Sequence, residues 1–157
     1  MVSKLVAAVL LASSVQLLPA RAQTPACMEV GGTATSRFTG RLTRPVFPGP
    51  PNYEDVRRGD AREPAYILTL DRPACVNAEG DENLDRRSVS QIHLRVDPGN
   101  VASRPAYDRL GRLIGRTITV AGTDGFGAQT GHHHAPLVLT VIGVAAPSVG
   151  GREGLPP

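Results

Sequence analysis

The sequence predicts a mainly β domain, a small five-stranded Greek-key barrel of the OB type with one short helix between strands 3 and 4. Three observations favour this fold. Five segments have the period-two alternation, or the short apolar run, of strands. A single segment has the 3.6-residue periodicity of a helix, and it follows the third strand. The resulting order, three strands, a helix and two strands, is typical of the OB barrel.

A long connection rich in proline and glycine joins the first two predicted strands. The first strand is predicted over residues 33–43, where apolar and polar residues alternate, and the second over 65–70. We call residues 45–64 between them the front loop. Connections of this length are usually functional or disordered. We expect this one to be ordered because Phe47 and Tyr53 can pack it against the barrel.

The second half of the chain supplies the remaining strands and the helix. The third strand is predicted over 89–96, and Ser103 then caps a helix that Gly115 terminates. The residues expected on the buried face of this helix are Tyr107, Leu110 and Ile114. The fourth strand is predicted over 116–121, followed by a glycine-rich loop. The fifth is an apolar run over 137–144 that fits a buried strand.

Residues 1–22 have the features of a signal peptide. Lys4 gives a basic start, residues 5–18 are mostly apolar, and residues 20–22 have the small-x-small pattern of a cleavage site. The apolar stretch is too short to span a bilayer comfortably. We therefore expect a periplasmic or secreted protein without a membrane span after cleavage.

Cleavage would leave a single OB-like domain over 23–144 and a disordered tail over 145–157. It would remove two basic residues, so that 15 arginines face 14 acidic residues and the net charge falls from +3 to +1. A barrel that binds nucleic acid needs a basic groove and stacking aromatics, and this chain has only six aromatic residues. We expect no nucleic-acid partner, and we expect a monomer.

Both cysteines, Cys27 and Cys75, lie in the predicted mature chain. An oxidising compartment favours their pairing. Such a disulfide would stabilise the fold by about 4 kcal/mol on the chain-entropy model. The alternative is two buried thiols.

Two sequence stretches resemble a known bacterial family. These are GPPNYE at residues 49–54 with Gly-Asp at 59–60, and TGHHHAP at residues 130–136. Together with the second strand, whose motif residues are Tyr66, Leu68, Leu70, Pro73 and Cys75, they resemble the secreted domain-of-unknown-function family 4431. Gln129 and Ala135 stand where the family pattern has His and Thr. The resemblance implies a fold and a compartment but no activity.

The three consecutive histidines His132, His133 and His134 directly precede the last strand. On an extended segment His132 and His134 share one face, and His133 points the opposite way. With a carboxylate such as Asp60, the first and third could hold zinc or copper. Alternatively, the histidines hydrogen-bond to hold two loops together, or they contact a ligand directly. All three interpretations stay open.

The front loop supplies the other candidate binding residues, Asn52, Tyr53, Glu54 and Asp60. Asn and Asp beside Pro and Gly usually shape turns. The chain has no serine in a nucleophile elbow and no phosphate-binding P-loop. We therefore expect no catalysis, but a binding or accessory module of the cell envelope whose ligand is a saccharide, a peptide or a protein. The alternative is a metal-binding protein or metal-assisted hydrolase that uses His132, His134 and Asp60.

Overall fold

Five strands close into a barrel, with one helix between the third and fourth of them, as predicted. The computed structural model describes residues 26–146. The predicted signal peptide lies outside these residues, as does the predicted tail beyond its first two positions. No helix within the described part of the chain has the length and hydropathy needed to cross a membrane.

The described residues form eight strands and one α-helix. In chain order they are β1 (Met28–Glu29), β2 (Ser36–Thr43), β3 (Val46–Pro48), β4 (Arg62–Pro64), β5 (Tyr66–Asn77), β6 (Arg87–Arg95), α1 (Ser103–Leu110), β7 (Thr117–Gly127) and β8 (Leu137–Ala145).

The barrel has the strand pairing of an OB fold. Strand β2 pairs antiparallel with both β5 and β7, β5 pairs with β6, and β7 pairs with β8. The parallel pairing of β6 with β8 completes the barrel. Strand β1 adds to the outside edge of β5, and β3 and β4 form a separate two-stranded sheet.

The barrel interior is filled by the alternate apolar residues of all five barrel strands and by one face of α1. The largest buried side chains include Leu42, Leu68, Ile92, Leu94, Leu110, Ile118, Leu137 and Leu139. Gly40 lies where β2 pairs with β5 on one side and β7 on the other. A Cβ at Gly40 would overlap the backbone of Thr69. Glycine is required there because the two strands approach too closely for a side chain.

The helix differs from the prediction at both ends. Its N-cap is Ala102, without a capping side chain, and Ser103 is the first helical residue. The Ser103 hydroxyl is buried and accepts a hydrogen bond from the Asp97 amide, at 2.9 Å. Helix α1 ends at Leu110, before a series of turns that finish at Gly115 with a positive φ of 82°. Ile114 lies in these turns and is exposed, so the predicted contribution of Ile114 to the core was wrong.

Two predicted loop regions contain regular structure. The front loop includes the β3–β4 hairpin and a short 3₁₀ turn over Val56–Arg58. Strand β7 continues to Gly127, so the connection to β8 is shorter than predicted. We call this connection, residues 128–136, the histidine loop.

The disulfide between Cys27 and Cys75 is present, as predicted, with 4.7 Å between the two Cα atoms. It joins the residue before β1 to the far half of β5. Together with the parallel β1–β5 pairing, it holds the first described residues against the barrel.

Candidate functional site

The front loop and the histidine loop meet at one rim of the barrel. They are the connections between the first two and the last two barrel strands, which are the loops that carry ligands in OB folds. Tyr53 contributes a contact from one loop and His132 from the other. The structure therefore brings together the two segments that the sequence singled out.

Asp60 organises the tip of the front loop. One carboxylate oxygen accepts hydrogen bonds from the Asn52 amide at 3.0 Å and from its side chain at 3.2 Å. The other accepts from the amides of Glu54 and Asp55, at 2.7 and 2.9 Å. These amide donors hold the pKa of the Asp60 carboxyl below its ordinary value, against the opposing effect of desolvation. Both oxygens of the Asp60 carboxylate are thus hydrogen-bonded to backbone amides of the front loop.

This turn presents Tyr53 towards the histidine loop. Tyr53 has a left-handed backbone conformation, with φ of 59°, which is uncommon for a residue with a side chain. Its ring packs on the backbone at Gly131, where a Cβ would come within 2.7 Å of the ring. Gly131 is therefore needed for the close approach of the two loops. The Tyr53 residue keeps 37% of its surface exposed.

A chain of hydrogen bonds crosses the rim. The Tyr53 hydroxyl lies 2.9 Å from Nε2 of His132, and the two rings form an edge-to-face contact at 5.2 Å. Nδ1 of His132 lies 2.7 Å from a carboxylate oxygen of Glu63, on β4. When His132 is neutral and Glu63 ionised, Nδ1–H donates to Glu63 and Nε2 accepts from the phenol. The lone pairs of the Tyr53 oxygen are then free to accept a hydrogen bond from a ligand.

His134 lies beneath this chain and is nearly buried. The second carboxylate oxygen of Glu63 is 3.3 Å from its Nε2, and its side chain is 8% exposed. Its ring stacks on Phe47 with 4.1 Å between centroids and 6° between planes. Phe47 also packs against a small apolar cluster outside the barrel, which consists of Ala65, Ile67 and Ala135. His132 and His134 thus lie on the same side of their loop, both in contact with Glu63.

His93 also lies beside His134, although the sequence analysis did not select it. It lies on the outer face of β6, and its Nδ1 accepts a hydrogen bond from the His134 amide at 3.3 Å. Burial first, and then the charges of His134, His133 and Arg95, lower the pKa of His93 to about 4. Its position on an alternating strand was predictable, but its contact with a loop 41 residues later was not.

His133 points away from Glu63 towards the other side of the loop. Its ring makes an edge-to-face contact with Phe126, with 5.1 Å between centroids. Nδ1 of His133 accepts a hydrogen bond from the Gln129 amide at 3.0 Å. Burial, followed by the positive charge of Arg95, lowers its pKa.

The predicted pairing of Asp60 with the histidines needs correction. Glu63 is the carboxylate that contacts His132 and His134, because both oxygens of Asp60 are engaged by loop amides. Glu54 is exposed and forms an ion pair with Arg58, at 3.2 Å. No group of three or more His, Cys, Asp or Glu side chains suited to a metal ion occurs within residues 26–146. Zinc or copper binding stays a prediction that the observed geometry does not favour.

A comparison with protein families supports the resemblance described above. The family described as "Domain of unknown function (DUF4431)" matches residues 91–145. Over these residues the chain is similar to the DUF4431 domain. The DUF4431 match begins in β6 and runs through α1, β7 and the histidine loop to the end of β8, whereas the front loop precedes it. No curated protein and no solved structure matches the chain.

Proposed function

We propose that this protein is an exported binding or accessory module of the cell envelope, and that the rim formed by the front loop and the histidine loop is its binding site. The observation that carries the proposal is the hydrogen-bonded chain of Tyr53, His132 and Glu63 across two loops. It fixes two exposed side chains relative to each other before any ligand arrives. A site ordered in advance loses less conformational entropy when it binds.

The chemistry of the rim suits a saccharide, a peptide or a protein surface. Tyr53 offers an aromatic ring and a hydroxyl acceptor, and His132, whose side chain is 54% exposed, offers a polar ring beside it. Tyrosine and histidine combine an apolar body with a polar end, which is useful for such ligands. The rim is open to solvent, and in this proposal it recognises a ligand without catalysis.

The compartment in this proposal follows from two features. The predicted signal peptide directs the chain out of the cytoplasm. The Cys27–Cys75 disulfide is in keeping with an oxidising environment, and no free cysteine occurs among the described residues.

A binding experiment with isotopically labelled protein tests the proposal. Soluble peptidoglycan fragments, which carry both saccharide and peptide, are titrated while backbone amide shifts are followed by NMR. In parallel, the immobilised protein is exposed to an extract of envelope proteins. We expect either the peptidoglycan fragments or an envelope protein to bind. The bound probe, when titrated, should shift the resonances of the front and histidine loops. Tyr53→Ala should weaken that binding at least tenfold, or by about 1.4 kcal/mol.

The matched control is Val101→Ala, at an exposed apolar position before α1. This variant should bind as the unmodified protein does. Binding that Tyr53→Ala leaves unchanged would show that the rim is not the site. Failure of both probes to bind would also contradict the proposal.

A further inference from the structure

The outer face of β6 and β8 carries a second cluster of polar side chains next to the rim. We propose that this cluster, centred on Arg95 and Thr140, is a binding site for an oxyanion: a phosphate, sulfate or carboxylate group. The site goes beyond the proposed function of the rim, because it requires neither Tyr53 nor His132.

The strand pattern places Arg95 and Thr140 side by side outside the barrel. Leu94 precedes Arg95 and points into the core, as Leu139 does before Thr140. Alternation along each strand therefore turns Arg95 and Thr140 outwards. The two residues are direct partners in the parallel pairing of β6 with β8. Thr123 of β7 continues the same row on the other side of Thr140.

Both residues have a buried polar atom without a hydrogen-bond partner. These are Nε of Arg95 and the hydroxyl oxygen of Thr140, and they are the only such side-chain atoms among the described residues. A buried donor left without a partner costs free energy, so native structures almost always satisfy it. Arg95 Nε and the Thr140 hydroxyl lie on paired residues, so a single acceptor bound between them would satisfy both donors.

Arg95 also has no ion-pair partner within residues 26–146. Its guanidinium group instead lies 5.2 Å from the centre of the Phe126 ring. Asp124 is the carboxylate next to Thr123 in the chain, and it accepts a hydrogen bond from the Thr123 hydroxyl at 3.5 Å. Glu63 is engaged by His132 and His134. The arginine can therefore turn to an incoming anion without losing an ion pair.

Two histidines add donors at the edge of this cluster. An amide N–H donates to Nδ1 of His93 and another to Nδ1 of His133, so in each ring Nδ1 is an acceptor and Nε2 carries the proton. Each ring thus offers an N–H group from its other side. The two rings therefore add hydrogen-bond donors beside the positive charge of Arg95. A cluster with donors and one cation selects an oxyanion rather than a metal ion.

Titration with inorganic phosphate tests the site. The protein is kept at constant ionic strength with sodium chloride, and the Nε–H resonance of Arg95 and the amide of Thr140 are followed by NMR. We expect saturable shifts with a dissociation constant below about 10 mM. Arg95→Gln should weaken binding at least tenfold. The matched control Arg37→Gln, which removes an exposed arginine from β2, should leave binding unchanged.

A second variant keeps the test informative if Arg95→Gln fails to fold. Thr140→Val preserves the shape of the side chain and removes a buried hydroxyl that has no partner, so its stability should be unchanged or higher. We expect it to weaken phosphate binding several-fold. The exposed control variant Val101→Ala should bind phosphate normally. Shifts that rise linearly without saturation, or equal binding by all variants, would overturn the proposal.

A further arm identifies the source of the anion. The same titration is run with an oligomer of galacturonic acid, which carries a carboxylate on every sugar. Binding at least tenfold tighter than that of inorganic phosphate would identify the acidic group of a larger molecule as the occupant. Comparable or weaker binding would identify a free small anion. If neither compound binds at Arg95, the site does not exist.

Discussion

Asp60 and Glu63 lie three residues apart but have different partners. Asp60 follows Gly59, whose positive φ of 109° forms part of the turn. The short Asp60 side chain accepts hydrogen bonds from the amides of this turn. Glu63 lies on β4 and its longer side chain reaches the histidine loop. The sequence analysis named Asp60 as a carboxylate that could join the histidines. The sequence could not show which of the two carboxylates contacts the histidines, because the answer depends on the path of the front loop.

The alternation of the three histidines was easier to predict. The prediction assumed extended backbone, whereas His132 lies in a turn closed by a hydrogen bond from the His133 amide to the Thr130 carbonyl. His132 and His134 nevertheless share Glu63, and His133 contacts Phe126. The role of His93 was not predictable, because nothing in a single sequence indicates which strand position a distant loop will cover.

His93 should make the stability of the protein depend on pH. Its folded-state pKa of about 4 lies below the ordinary value of 6.5, so between these values the unfolded chain binds the additional proton. Its contribution is fully present above about pH 6.5 and is lost as pH falls to about 4. After allowance for partial exposure, we expect this loss to be about 1–3 kcal/mol.

Urea unfolding at several pH values between about 7 and 4 measures this contribution. The variant His93→Gln keeps a polar acceptor but cannot titrate. It should show a shallower decline of the free energy of unfolding with falling pH than the unmodified protein. Parallel curves for the two proteins would mean that His93 does not titrate differently in the folded and unfolded states.

The β3–β4 hairpin was missed because prolines interrupt its sequence. Pro48 and Pro64 lie within its strands, and proline is confined to edge strands because it lacks an amide donor. A two-stranded sheet consists only of edges, so it tolerates prolines that a barrel strand would not. The prediction that Phe47 packs the front loop against the barrel agrees with the observed stack on His134.

Phe47→Ala should release the hairpin from the barrel. The substitution removes the stack with His134 and the contact with the small apolar cluster outside the barrel. We expect a loss of about 2 kcal/mol in unfolding free energy, less than for a fully buried phenylalanine. Hydrogen exchange should also become faster in both the front loop and the histidine loop.

Val46→Ala is the control for this experiment, because Val46 lies on the same strand and is exposed. It should leave both exchange and stability nearly unchanged. Faster exchange in the front loop alone would mean that the two loops do not depend on each other.

The helix illustrates a different limit of prediction. A serine before a helical segment is a common N-cap, yet Ser103 is the first helical residue, and its hydroxyl oxygen accepts a hydrogen bond from the Asp97 amide. Ile114 had the correct spacing for the buried face, but α1 ends at Leu110 and the following turns rotate it into solvent. Periodicity located the helix between the correct strands, whereas its ends were decided by contacts with the preceding and following segments.

The barrel architecture was predictable because it depends on the order of strands and helix along the chain. Three strands, a helix and two strands leave few ways to close a sheet, and β6 pairs with β8 as the OB barrel requires. The lengths of β5 and β7 were underestimated. Both strands contain register shifts in their pairings, which interrupt the simple alternation on which the prediction depended.

Removal of the disulfide should destabilise the entire barrel. Cys27 and Cys75 close a long stretch of chain, so the bond restricts the unfolded ensemble. We expect the double variant Cys27→Ser/Cys75→Ser to lose about 4 kcal/mol of unfolding free energy. Denaturation with and without a reducing agent provides the control. Reduction should destabilise the unmodified protein by a similar amount and leave the double variant unaffected.

A double-mutant cycle between Tyr53 and His132 tests most directly whether the front and histidine loops form one preassembled rim. The free energy of unfolding is measured for Tyr53→Phe, for His132→Ala and for the double variant. A hydrogen bond between the two side chains predicts a coupling energy of about 0.5–1.5 kcal/mol. Strictly additive effects would contradict the contact, and with it the proposal that these two loops present a single binding surface.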